Sequence, residues 1–231
     1  MSPTPVSHRR RRAGVTAFEL LVAIGIAAIL AMVSVAFLNR HRERSRETVC
    51  LSNLRNLGVA MALYTGENSM TLPGPLWRGQ SPIYQSDEEG GFDRMSGNLV
   101  TFLAPYLRLE NLPPLHSATA EILACPAWLK SARHETQLIC YYSAGEIIID
   151  PDEPSLFPFG RSSSQGEPLP PMRTTALPDP ATTPAFWEFD RQATVAESDY
   201  FTDPRVPSAP VHRTVRNTLF FDGHVAASRV F

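Results

Sequence analysis

The sequence predicts an α+β fold, in which one long N-terminal helix, half membrane-length and half amphipathic, packs on a small antiparallel β-sheet. Three observations predict it. Leu20–Leu38 is a run of 19 residues without a charge. Cys50, Leu54, Leu57, Met61 and Tyr64 then recur at spacings of 4, 3, 4 and 3. Further on, short β-branched and aromatic stretches alternate with turn residues and end around Asp222-Gly223.

Residues 1–14 form a basic leader carrying Arg9–Arg12, and the segment 15–38 follows as the transmembrane helix. At ~1.5 Å per residue the uncharged run covers ~28 Å, the thickness of a bilayer's hydrocarbon core. A cleaved secretory signal has an apolar core of only about 7–15 residues followed by a small-x-small site. Here the run passes directly into "NRHRERSRET", so it reads as a retained membrane helix. The leader arginines hold the N-terminus in the cytoplasm. Arg40, Arg42, Arg44 and Arg46 pull the other way, partly offset by Glu43 and Glu47, and read as a solvated juxtamembrane face. The expected topology is a single pass through the inner membrane with an extracytoplasmic C-terminal domain.

Residues 39–66 continue the helix, because the Cys50–Tyr64 spacing is one apolar stripe. Asn53, Arg55, Asn56 and Thr65 fall off it, no proline interrupts residues 6–72, and Gly66 followed by Pro73 supplies a stop. Residues 67–231 are the exported domain. Its strand candidates are "ILAC" (122–125), "LICYYSA" (138–144), "EIIID" (146–150), "PAFWEFD" (184–190) and the two runs flanking Asp222-Gly223. That dipeptide reads as a type I′ hairpin turn, with φ positive at both positions. The sheet is expected to lie on the helical stripe. "VTFLAPYLRL" (100–109) reads as a short helix. Residues 150–184, with nine prolines, read as a long surface loop. Residues 67–98 read as irregular, pinned by Trp77.

Composition excludes several classes. Formal net charge is −2, and loss of the four leader arginines takes it to −6, the wrong sign for gripping nucleic acid. Arginine outnumbers lysine 20 to 1, which reflects genome composition. "GxSxG", "HExxH" and a Gly-rich phosphate loop are all missing, so no enzyme is expected. Cys50, Cys125 and Cys140 form no CxxC and have no histidine at zinc-finger spacing. After export one pair can be oxidised, and the sequence leaves the choice of pair open. His212, Asp222 and His224 read as polar surface residues around a turn, and no metal is assigned to them.

Glu19 stands apart. A lone carboxylate entering hydrocarbon costs ~2.5 kcal/mol or more unless it is paired. A cut after Gly14 would create a partner, the α-amine of Val15, on the same chain or on a staggered neighbour.

The basic leader, Gly14, Thr16 at the second mature position, Glu19 at the fifth and the long apolar helix resemble the class III signal of type IV prepilins and type II secretion pseudopilins. Val15 stands where phenylalanine is usual, Ala17 and Phe18 replace the common Leu and Ile, and Ala36 occupies the position where many pilins carry a kinking proline. "CLSNLRNLGVAMALYTGENSMTLP" (50–73), "ILACPAW" (122–128) and "ICYYSAGE" (139–146) are similar to segments of a large bacterial group of pseudopilin-like proteins. His212, nine residues and then Asp222-Gly223 match that group's H-x9-DG processing-associated signature.

The resemblance implies a type IV pilin-like fold and cleavage after Gly14 by a prepilin peptidase that methylates Val15. It also implies a structural role in an envelope filament, a homo- or hetero-polymer assembled on an inner-membrane platform with Glu19 setting the axial register. Major pseudopilins often bind calcium in a C-terminal loop, for which Asp222 and "DPDEP" (150–154) offer acids. No other cofactor is implied. The competing expectation is a membrane-anchored binding module that does not polymerise, which needs neither Gly14 nor Glu19.

Overall fold

The computed structural model describes residues 16–93, 97–131, 140–148, 152, 154–162, 166–192 and 206–229. The chain is α+β, and it divides into two compact units, Met1–Arg42 and Glu43–Phe231. One helix, α1 (Ala17–Glu67), contributes 51 residues.

Within the first unit, every described side chain from Thr16 to Leu38 is exposed. This stretch of α1 is long and apolar enough to cross a bilayer. Its hydroxyl at Ser34 is satisfied locally by donating to the Leu30 carbonyl at 2.7 Å.

Within the second unit, α1 buries the predicted stripe: Cys50, Leu54, Leu57 and Met61 are core residues, and Tyr64 packs against them. Burial is broader than the stripe, because Asn53 and Thr65 are buried as well. Asn53 is admitted because its Nδ2 donates to the Ala124 carbonyl at 2.9 Å. Thr65 turns its hydroxyl back onto the Ala62 carbonyl at 2.9 Å. Gly66 does not end the helix but lies inside it. The stop comes from Ser69 and Met70, which take φ of 56° and 61°. Met70 N–H closes onto the Thr65 carbonyl at 2.8 Å, a six-to-one bond that satisfies a terminal acceptor.

The remaining elements are short. They run β1 (Gly79–Gln80), β2 (Ile83–Gln85), α2 (Leu99–Leu103), β3 (Ser117–Thr119), α3 (Pro126–Ser131), β4 (Tyr141–Ser143), β5 (Pro184–Glu188), β6 (Val215–Phe220) and β7 (Val225–Arg229). An antiparallel five-stranded sheet has the order β1-β4-β5-β6-β7, and β2 pairs with β3 separately. Register pairs Tyr142 with Trp187, Trp187 with Thr218, and Thr218 with Ala226.

Several expectations are corrected. Residues 67–98 are not wholly irregular, since they hold β1 and β2. Trp77, though half-exposed, lays its indole against Gly97 and donates its backbone N–H to the Gly97 carbonyl at 3.0 Å, and buried Leu72 and Leu76 anchor that stretch with it. "ILAC" is not a strand but a 3-10 turn over Glu121–Leu123, whose following carbonyl, Ala124 O, is taken by Asn53. Among its described residues, "EIIID" contributes only an isolated bridge between Ile147 and Leu156. The proline-rich stretch is irregular but not all surface, because Phe159 is buried with its ring 4.8 Å from that of Phe186.

The hairpin between β6 and β7 also departs from type I′. Only Gly223 has positive φ, at 89°. Gly223 N–H donates to the Phe220 carbonyl and Phe220 N–H to the His224 carbonyl, both at 3.0 Å. This is a three-residue loop, Phe221-Asp222-Gly223, with glycine in the left-handed position. The extra residue removes the need for a left-handed aspartate.

Candidate functional site

Gly14 and Val15 lie outside the described residues. Glu19 stands in the first turn of α1, and Thr16 N–H and Oγ1–H both donate to Glu19 Oε2 at 2.9 Å. Glu19 N–H returns a bond to Thr16 Oγ1 at 3.3 Å. Thr16-x-x-Glu19 is therefore a capping box, which satisfies backbone donors that an α-helix leaves free at its start. A carboxylate there also meets the positive end of the helix dipole.

The C-terminal motif separates into two environments. His212 is not a surface residue, since its side chain and that of Glu188 are each only 3% exposed. His212 Nε2–H donates to Glu188 Oε1 at 3.0 Å and lies 3.6 Å from Cys125 Sγ. Asn217, buried on β6, donates its backbone N–H to Glu188 Oε2 at 3.0 Å and its Nδ2 to Oε1 at 3.2 Å. An uncompensated carboxylate inside the domain would be costly, and these three donors are what make Glu188 tolerable. Asn217 Oδ1, by contrast, is buried without a hydrogen-bond partner among the described residues.

The third element of this cluster is covalent. Cys50 and Cys125 form a disulfide with Cα atoms 4.8 Å apart, which resolves the pairing that the sequence left open. Cys140 remains a free, buried thiol, and burial pushes its pKa up to about 12. At neutral pH it is a thiol and a poor nucleophile.

Asp222 and His224 occupy the opposite environment, exposed at the hairpin tip. Asp222 Oδ1 accepts from His224 N–H at 3.0 Å and lies 2.6 Å from His224 Nδ1. The His224 ring stacks on Phe220 with centroids 4.3 Å apart. Backbone hydrogen bonding from His224 holds the Asp222 carboxyl below its usual range. Asp222 does not meet His212, and among the described residues the potential metal-ligand group is Cys50, Cys125, Glu188 and His212 instead. Asp150, Pro151 and Glu153 of the second acidic candidate lie outside the described residues.

The nine-residue spacing acquires a physical meaning. A bridge ties His212 to Val215, β6 follows as six residues, and the loop then delivers Gly223 to α1. A Cβ at Gly58 of α1 would stand 2.9 Å from Leu219 Cδ1 and 3.3 Å from the Gly223 carbonyl oxygen. One end of the motif thus sits at the disulfide that holds Cys50, and the other rests on Gly58.

Sequence reasoning missed Glu188, Asn217, Gly58 and the buried pair of Arg216 with Asp190, which meet at 2.9 and 3.0 Å. The signal for Glu188 was present, as an acid between Trp187 and Phe189 on a strand of otherwise apolar character. Gly58 was marked only by being a glycine in mid-helix. Family models, curated proteins and solved structures were compared with the chain, and none matches it.

Proposed function

We propose that this chain is a structural subunit of an envelope filament of the type II secretion-like or type IV pilus kind. One observation carries the reading. A single helix of 51 residues joins a stretch whose described side chains are all exposed to a stretch fastened into a folded domain. A subunit that waits in a membrane and then enters a helical bundle needs both, because its apolar half must be free to exchange lipid for neighbouring helices. In this reading a prepilin peptidase cuts after Gly14, the domain faces away from the cytoplasm, and an inner-membrane platform extracts the subunit. Glu19 then pairs with a neighbour's Val15 amine.

The capping box favours one competing reading, a membrane-anchored binding module that never polymerises, because Thr16 already gives Glu19 a partner within its own chain. The two readings separate by cross-linking in native membranes. Val59 is exposed on α1, so Val59→Cys places a reactive thiol beside the buried stripe. The background should carry Cys140→Ser and keep the disulfide, and a bis-maleimide then reports neighbours. With one thiol per chain the filament reading expects a cross-linked dimer, lost to monomer in Glu19→Gln, with a mature N-terminus at Val15. An undiminished dimer in that variant, or an intact N-terminus on the cross-linked chains, would refute Glu19 and Gly14 as assembly elements.

A further inference from the structure

Four donor atoms from separate elements converge inside the domain. Cys50 Sγ comes from α1, Cys125 Sγ from the residue before α3, a Glu188 oxygen from β5 and His212 Nε2 from the turn before β6. All lie within 4.8 Å of one another. Ligands of a tetrahedral zinc ion bind at ~2.0–2.3 Å, which places them roughly 3.3–3.8 Å apart. His212 Nε2 lies 3.6 Å from Cys125 Sγ, inside that range, and 3.0 Å from Glu188 Oε1, just short of it.

We propose that the chain with its Cys50–Cys125 bond open binds one divalent cation of the zinc class through these four side chains. The inference does not depend on filament assembly. Two thiolates and one imidazole select a borderline-soft ion over calcium, which takes oxygen ligands. Two thiolates and a carboxylate carry three negative charges against the ion's two positive ones. Both Asn217 donors on Glu188 face that residual charge.

The metal and the disulfide exclude each other, since they use the same two sulfur atoms. On metal binding the two thiol protons leave to solvent, and His212 coordinates through Nε2 with its ring proton on Nδ1. Oxidation by an external disulfide reverses this. The two thiolates give up two electrons and become the Cys50–Cys125 bond. The oxidant takes the electrons and two protons from solvent and departs as two thiols, and the cation is released. The disulfide fastens α1 to the segment before α3 and the metal would fasten it to that segment and to β5, so a chain that folds before it is oxidised still closes its core.

Cobalt(II) is the probe. The full-length chain in detergent is unfolded in urea with a phosphine reductant and refolded anaerobically with or without Co2+. The expected result is one cobalt per chain, thiolate-to-cobalt charge-transfer absorption, and the intense visible bands of a tetrahedral site. Cobalt should also restore the circular dichroism of the oxidised chain. The oxidised chain should bind none, and Cys140→Ser should leave the spectrum unchanged. Asn217→Ala, which alters a group behind the ligands, should weaken binding by roughly 10–100-fold. His212→Gln and Glu188→Gln should each weaken it more. Absence of the thiolate band would overturn the proposal, as would failure of cobalt to restore the fold. A spectrum indifferent to both His212→Gln and Glu188→Gln, or one dependent on Cys140, would do the same.

Discussion

Between Ala17 and Leu38, α1 presents apolar side chains on every side and every described one is exposed. Between Cys50 and Met61 the same helix gathers most of them on one face, burying Cys50, Leu54, Leu57, Ala60 and Met61 and leaving Val59 outside. Backbone geometry is shared, so the difference lies in the distribution of side chains around it. An all-round apolar surface suits a solvent that is itself apolar, while a stripe suits one packed partner. Gly25 and Gly58 make the contrast concrete. A Cβ on Gly25 would meet nothing within 4 Å, whereas one on Gly58 would meet Leu219 and Gly223.

The strongest way to break this comparison is to remove one half at a time. A chain beginning at Arg46 keeps Cys50, the stripe and the disulfide, and should be soluble with a cooperative thermal transition. A chain beginning at Ser69 loses all three and exposes the sheet's apolar face, so it should aggregate. Equal solubility and equal melting of the two would show that the second half of α1 is not part of the core.

Next in size is the buried pair. Glu188→Ala leaves the His212 and Asn217 donors without an acceptor, and each buried donor left unsatisfied costs about 1–3 kcal/mol. Urea unfolding of the Arg46 chain should register that loss. Asp222→Ala, at the exposed end of the same motif, should cost far less. If the two variants unfold alike, the two environments of the motif are not energetically distinct.

Gly58→Val should destabilise by about 1–3 kcal/mol, because Leu219 is fully buried and has no room to yield. Gly25→Val should leave the domain's melting temperature unchanged. Calorimetry of both full-length variants sharpens the contrast into a difference between two positions on one helix.

The smallest effect concerns pH. The folded-state pKa of Asp222 is lowered, so its contribution is complete above the carboxyl's unfolded pKa. It is lost as pH falls from that value, about 4, through the lowered one. Asp222→Asn should slightly flatten the acid limb of a stability–pH profile measured in urea and leave the neutral region in place.

Much of the fold was legible because periodicity is local. The uncharged run, the 4-3-4-3 stripe and the strands β4 to β7 are each marked by a few consecutive residues, whereas the helix expected over 100–109 ends at Leu103, ahead of Pro105. The short strands β1 to β3 were not, since two or three residues carry no period and exist only through their partners. The His212 environment was hidden for a similar reason. Nothing beside His212 in the chain says that Cys125 and Glu188 will surround it. The turn was misassigned by one residue because Asp-Gly fits either a two-residue loop or the end of a three-residue one, and the pairing of Leu219 with Val225 decides between them.

The disulfide also sets how tension travels through the molecule. Cys50 is the first fully buried residue after the apolar run, and its bond to Cys125 closes a span of 75 residues. A pull arriving along α1 from its N-terminal side reaches that covalent link before it reaches Leu54, Leu57 or Met61. The helix therefore cannot be peeled from the sheet starting at its loaded end. The non-covalent packing beyond Cys50 is loaded only in shear, the direction in which many contacts must yield together. A chain built this way transmits force as a riveted joint does, with its weakest bonds placed behind its strongest.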